Sequence, residues 1–260
     1  MPECGAEDNY NIMNAIYILW IRQLKRYSRS KARMISSLGQ PLMFLLALGF
    51  GFGPIFEKAG QGSYIEFLGP GIVAMAIIFT AIFSGMEVIW DRQFGFLKET
   101  LVAPVSRLNI MIGRTMGGAT VASIQGIVVF VLAIIVGFRP YSAGMLGVAF
   151  LFVILTAVVF TALGTAIASK MEDMQVFPII MNFIVMPLFF LSGAIFPLKS
   201  LPAGVQFVAR FNPLVYGVDG LRGALTGACD FGIMNDFIIL ILIAGVFMTI
   251  GAWLFSKIEI

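Results

Sequence analysis

Residues 142–168 read SAGMLGVAFLFVILTAVVFTALGTAIA, a run without one charged side chain. Roughly 20 apolar residues in an α-helix cross a hydrocarbon layer about 30 Å thick, and this run exceeds that length. A soluble helix as long would turn a polar stripe toward water, and none is present. Stretches 35–56, 67–86, 115–138, 176–197 and 237–255 have the same character. The whole chain agrees with them: 59% of its 260 residues are hydrophobic and 12% are charged, about half the charge of an ordinary soluble domain. Mean hydropathy is +0.96. Backbone polar groups have no water to bond in a bilayer core, so apolar spans of this length fold as helices. The expected fold is an all-α membrane protein with six transmembrane helices.

Pro41, Pro70, Pro178 and Pro187 fall within or beside these spans, and the pair on 176–197 predicts a kinked or partly broken helix. Lys and Arg set the orientation. With the N-terminus in the cytoplasm, that side receives Arg22, Lys25, Arg26, Arg29, Lys31, Arg33, Arg92, Lys98, Arg107, Arg114, Lys170 and Lys257. The other side receives only Lys58, Arg139, Lys199, Arg210 and Arg222. Such an excess marks the cytoplasmic face, so both termini are expected there. Glu3, Glu7 and Asp8 stand where a signal peptide would carry basic residues. The expected division is a cytoplasmic segment over 1–34 and one membrane domain over 35–260. Within 12–27, Ile12, Ile16, Trp20, Leu24 and Tyr27 recur at helical spacing beside a basic C-terminal half, which predicts an amphipathic helix in the headgroup plane.

Little in the spans can do covalent chemistry. The chain has no His, and Cys4 and Cys229 are too few for a metal cluster. The stretch nearest to a phosphate-binding loop, GAIFPLKS over 193–200, has Leu198 where the second glycine belongs and follows no strand. Glu87, Asp91 and Arg114 at one side and Asp236 at the other read as interfacial anchors. Gln125 and Asn182 are the uncharged polar candidates, either for bonding a neighbouring helix or for a larger role. Gly113 with Gly117, and Gly223 with Gly227, allow close helix approach. Nothing here indicates nucleic acid. A protein of this kind doing uphill work takes its energy from a partner.

Two connections carry more pattern than a loop needs. Residues 91–107 read DRQFGFLKETLVAPVSR. Phe94, Leu97, Leu101 and Val105 recur at helical spacing, with Asp91, Arg92, Lys98 and Glu99 on other faces and Pro104 at the expected end. Such a helix either rests on lipid or meets a partner. Residues 198–236 show the same spacing at Leu198, Leu201, Val205, Val208 and Phe211, then at Val215, Val218 and Leu225. Asn212 and Pro213 interrupt it as a cap and a first helical residue. Two short helices dipping into the outer leaflet are expected before the last span.

These connections resemble those of the ABC-2 type export permeases, in the drug-efflux and lipo-oligosaccharide branches. Gly95, Glu99, Pro104 and Arg107 match the family's cytoplasmic signature, and Pro202, Asn212, Pro213 and Arg222 its outer motif. The resemblance implies a permease dimer, with a second copy of the chain as the expected partner, bound to two copies of a separate ATPase subunit. It makes 91–103 a coupling helix seated on that ATPase, with Asp91, Arg92, Phe94, Gly95, Leu97, Lys98, Glu99, Pro104 and Arg107 as contact residues, and makes 12–27 a second contact. The chain itself would bind no cofactor, since ATP and Mg belong to the partner, and it would not be an enzyme. Phe44, Phe50, Phe52 and Phe56 on the first span, and Asn182, Phe183, Phe189 and Phe190 on the fifth, could line a greasy path for an amphiphilic, drug-like or lipid-linked substrate. An ion-coupled secondary transporter and a membrane scaffold are the competing readings.

Overall fold

The computed structural model describes residues 4–58, 62–96 and 105–257. Among them every regular element is a helix. In chain order the α-helices are α1 (Cys4–Arg29), α2 (Lys31–Lys58), α3 (Tyr64–Ser84), α4 (Met86–Gln93), α5 (Arg107–Val136), α6 (Leu146–Ala168), α7 (Val176–Phe190), α8 (Ala203–Ala209), α9 (Pro213–Thr226) and α10 (Ile233–Ser256), with single 3-10 turns at Ala143–Met145 and Leu198–Ser200. Five helical segments are long and apolar enough to cross a membrane: Met34–Lys58, Tyr64–Gln93, Arg107–Val136, Ala143–Ala168 and Ile233–Ser256.

The stretch 176–197 is the departure. Its helix α7 covers 15 residues, about 22 Å at 1.5 Å per residue, which is short of a full span. Pro178 lies in the first turn, where its missing N–H costs no hydrogen bond, so the expected kink there does not arise. Three residues beyond Pro187 the helix stops, and Gly193 adopts φ of 76°, a left-handed conformation that turns the chain.

Helix α3 is the centre of the bundle. Every residue from Leu68 to Ile78 is buried, and α2, α5, α6, α7 and α9 all pack on it. A helix surrounded by others has no polar face to show, which explains its uniform hydrophobicity. Its contact with α6 is backbone on backbone. A Cβ placed on Gly164 would lie 2.5 Å from the Ile82 carbonyl oxygen, and one on Gly85 would overlap the Gly164 carbonyl. Helices α2 and α10 turn most of their apolar surface outward, including Ile35, Met43 and Phe50 on α2 and Met234, Leu242 and Trp253 on α10. Those faces are suited to lipid or to another membrane chain.

Candidate functional site

Helix α1 is longer than the expected 12–27 segment and is docked along α5. The two small residues at helical spacing are what it docks on. A Cβ at Gly113 would come within 3.0 Å of Leu19 Cβ, and one at Gly117 within 2.8 Å of Gln23 Oε1. Small residues let two helix backbones approach closely, and side-chain hydrogen bonds then fix their register. Trp20 Nε1 donates to Thr120 Oγ1 at 3.0 Å, and Tyr27 Oη donates to Gln125 Oε1 at 2.8 Å. Gln125 therefore bonds a neighbouring helix. Burial pushes the Tyr27 phenol above its ordinary pKa.

The same end of the bundle holds a charge network centred on Asp91. Asp91 Oδ1 accepts from Arg22 Nη2 of α1 at 2.8 Å, and Oδ2 accepts from Arg114 Nη2 of α5 at 2.7 Å. Asp91 and Arg114 are each only 3% exposed, so both are buried partners rather than the interfacial anchors their sequence positions suggest. The cause is that α5 begins at Arg107, which carries Arg114 into the packed part of the helix. Arg26 Nη1 stands 3.6 Å from Asp91 Oδ1 and 3.7 Å from Glu87 Oε2, with its guanidinium 5.1 Å from the Trp90 ring centre. On the far side of α4, Arg92 Nη1 donates to the Met171 carbonyl at 3.2 Å, and Gln93 Nε2 to the Glu172 carbonyl at 2.9 Å. One short helix thus ties α1, α5 and the α6–α7 connection together.

Helix α4 ends at Gln93, and Gly95 takes φ of 80°. Asp91 and Arg92 therefore close the second span instead of opening a coupling helix, because a left-handed glycine terminates the preceding helix. Phe94 is exposed beside that turn. Leu97, Lys98, Glu99 and Pro104 lie outside the described residues, and Arg107 opens α5.

The opposite end carries the second motif. Pro202 precedes α8, and its carbonyl accepts from the Val205 and Gln206 amides. Asn212 Oδ1 caps α9 by accepting from the Leu214 amide at 2.9 Å, with Pro213 at the first turn as expected. Its Nδ2 donates to the Leu188 carbonyl at 2.6 Å and so ties α9 to α7. Arg222 lies over the Phe67 ring at 4.1 Å and donates to the Gly193 carbonyl at 2.8 Å. Burial lowers its pKa to about 10 against the pull of Asp219. The Asp219 carboxylate receives the Asp230 and Phe231 amides, while Lys199 Nζ pairs with Asp230 at 2.6 Å. Asp236 is fully buried, and neither of its oxygens meets a donor among the described residues. It is no surface anchor either. Arg222→Lys removes the planar donor that stacks and bonds at once. The expected cost is about 1.5–3 kcal/mol, that of a charged hydrogen bond. Thermal unfolding in detergent checks this, and an unchanged melting temperature would refute it.

The aromatic residues expected along a path divide. Phe189 is buried and meets Phe44 edge to face at 6.4 Å. Phe56 packs on Tyr64 at 4.9 Å. Phe50, Phe52, Asn182, Phe183 and Phe190 face outward. The chain therefore presents those five on its exterior.

Sequence reasoning missed the Asp91 network because its members are far apart in the chain. The spacing of Arg22 and Arg26 on one face of α1 was the available signal. Comparisons with known proteins agree with the fold. The chain is 29% identical to Nodulation protein J of Rhizobium leguminosarum bv. trifolii over 212 residues, covering 80% of each chain. It is 29% identical to the "Putative transport permease ycf38" of Porphyra purpurea over 217 residues, 82% of this chain and 75% of that one. With the "Inner membrane transport permease YadH" of Escherichia coli K12 it shares 26% over 235 residues, 87% of this chain and 89% of that one. The family described as ABC-2 type transporter matches residues 14–226, from α1 to the end of α9, and this multi-pass membrane protein belongs to it.

Proposed function

We propose that the chain is the membrane subunit of an ATP-driven exporter, working as a homodimer on two copies of a separate ATPase subunit. Both termini and the basic end of the bundle face the cytoplasm, and ATP and Mg are held by the partner alone. α7 with the turn after it completes a sixth crossing, and α8 and α9 form the outer cover. The observation that carries this reading is the position of α4. The helix leading into the 97–104 connection is braced against α1, α5 and the α6–α7 connection through Asp91, Arg92 and Gln93. A displacement of that connection by a partner is therefore delivered to three elements at once. ATP-driven approach of the ATPase subunits favours the conformer whose connections sit at the matching spacing, and the bundle shifts by that differential binding energy. The outward faces of α2 and α7, with Phe52, Asn182, Phe183 and Phe190, suit an apolar path completed by the second copy. The substrate class is amphiphilic, drug-like or lipid-linked.

The test is purification in mild detergent. An ATP-hydrolysing subunit recovered at a one-to-one ratio is the expected result. Recovery of the chain alone under conditions that preserve membrane complexes overturns it. Transport that survives ATP depletion but collapses with the proton gradient would identify an ion-coupled transporter instead. Leu97→Asp and Glu99→Lys are expected to leave insertion and expression intact while abolishing transport-linked ATP hydrolysis. Normal export by both variants would remove 97–104 from the coupling surface.

A further inference from the structure

A chamber of about 440 Å³ opens in the elbow between α1 and α2, within the roughly 300–1,000 Å³ range of small-molecule sites. Its inner wall is apolar and aromatic, with Phe79, Phe83, Met86, Trp90, Pro41 and Val121. Gln23 and Tyr27 of α1 roof it, and Ser37 and Gln40 of α2 close its side. It exists because α2 leans chiefly on α3 and touches α1 only lightly. The carboxylate on its wall, Glu87, is met by Arg26 at 3.7 Å.

The apex of the elbow is basic. α1 ends at Arg29, Ser30 is the break, and α2 begins at Lys31. Lys25, Arg29 and Lys31 are all exposed and meet no carboxylate among the described residues. Arg22 and Arg26, by contrast, are committed to Asp91 and Glu87. Exposed cations without a carboxylate among the described residues, at the apex where the two helices that line an apolar chamber meet, match the two ends of one molecule. Each basic residue at an anionic membrane surface strengthens binding about five-fold.

We propose that the elbow chamber binds an anionic phospholipid of the adjoining leaflet, with one acyl chain inside it and the phosphate at Arg29 and Lys31. The lipid acts as a further packing partner among α1, α2 and α3, filling space that the protein leaves open. No ATPase or transport step enters this assignment, so it stands or falls separately from the exporter reading.

Native mass spectrometry of the full-length detergent-purified protein tests it, with palmitoyl-oleoyl phosphatidylglycerol and the phosphatidylcholine of the same chains as probes. The expected result is selective retention of phosphatidylglycerol. The double variant Arg29→Gln with Lys31→Gln, which alters only exposed side chains, should weaken retention roughly 25-fold, two such increments. Thr80→Phe, which fills the chamber from α3, should abolish it. Glycerol phosphate, which has the headgroup without chains, should not compete. Equal retention of both lipids, unchanged retention by either variant, or displacement by glycerol phosphate overturns the proposal.

Discussion

Asp91→Ala is expected to destabilise the protein by about 3–5 kcal/mol, the cost of stranding a buried ion. Its carboxylate is the partner of Arg114, which is 3% exposed and cannot recover water when the acid is removed. Arg22 loses its 2.8 Å contact at the same time, which leaves α1 held to α4 only through Arg26 at Glu87 and Trp90. Asp91→Asn keeps the shape and one acceptor and should cost less. The diagnostic experiment is a double-mutant cycle read by thermal unfolding in detergent. Asp91→Ala combined with Arg114→Met removes both charges, and it should be more stable than Asp91→Ala alone, because an apolar replacement of a whole buried pair is far cheaper than half of one. Additive losses would mean that the two residues do not share one interaction.

Gly164→Leu should be the most damaging substitution that changes no charge. Even a single Cβ there would sit 2.5 Å from the Ile82 carbonyl oxygen, and backbone cannot swing aside as a side chain can. Overpacking typically costs about 1–3 kcal/mol, and contact with backbone places Gly164→Ala toward the upper end of that range. The leucine variant is expected not to accumulate as folded protein. Gly147→Leu is the matched control, since nothing stands within 4 Å of a Cβ at that position. If the two leucine variants give equal yields of monodisperse protein, the close approach of α3 and α6 is not essential.

Much of this architecture could be read in the sequence because a bilayer makes hydrophobic length nearly sufficient evidence. Residues 142–168 and 237–255 returned as Ala143–Ala168 and Ile233–Ser256. The Asn212–Pro213 break was legible for a different reason: a cap followed by proline is local chemistry, and the α9 start obeys it. What stayed hidden was the pairing of distant charges. Hydropathy counts Asp91, Arg114 and Asp236 as reasons to end a span, yet all three are buried, and for Asp91 and Arg114 the neighbouring helices supply what water otherwise would. The end of α7 was misplaced since apolar composition continues through Phe196 after the helix has stopped. The glycine pair at Gly113 and Gly117 was visible, but which helix would use it was not, since the answer lay on α1.

That docking has a consequence for how the chain is made. Trp20 waits for Thr120, 100 residues later in the sequence. At translation rates of about 5–20 residues per second, the delay is roughly 5–20 s. Throughout it the basic helix has no α5 to lie against, and Arg22 and Arg26 have only the membrane surface until Asp91 emerges. The N-terminal helix is therefore made well before the helix it seats on, a clasp that closes over the bundle once its third crossing is in place.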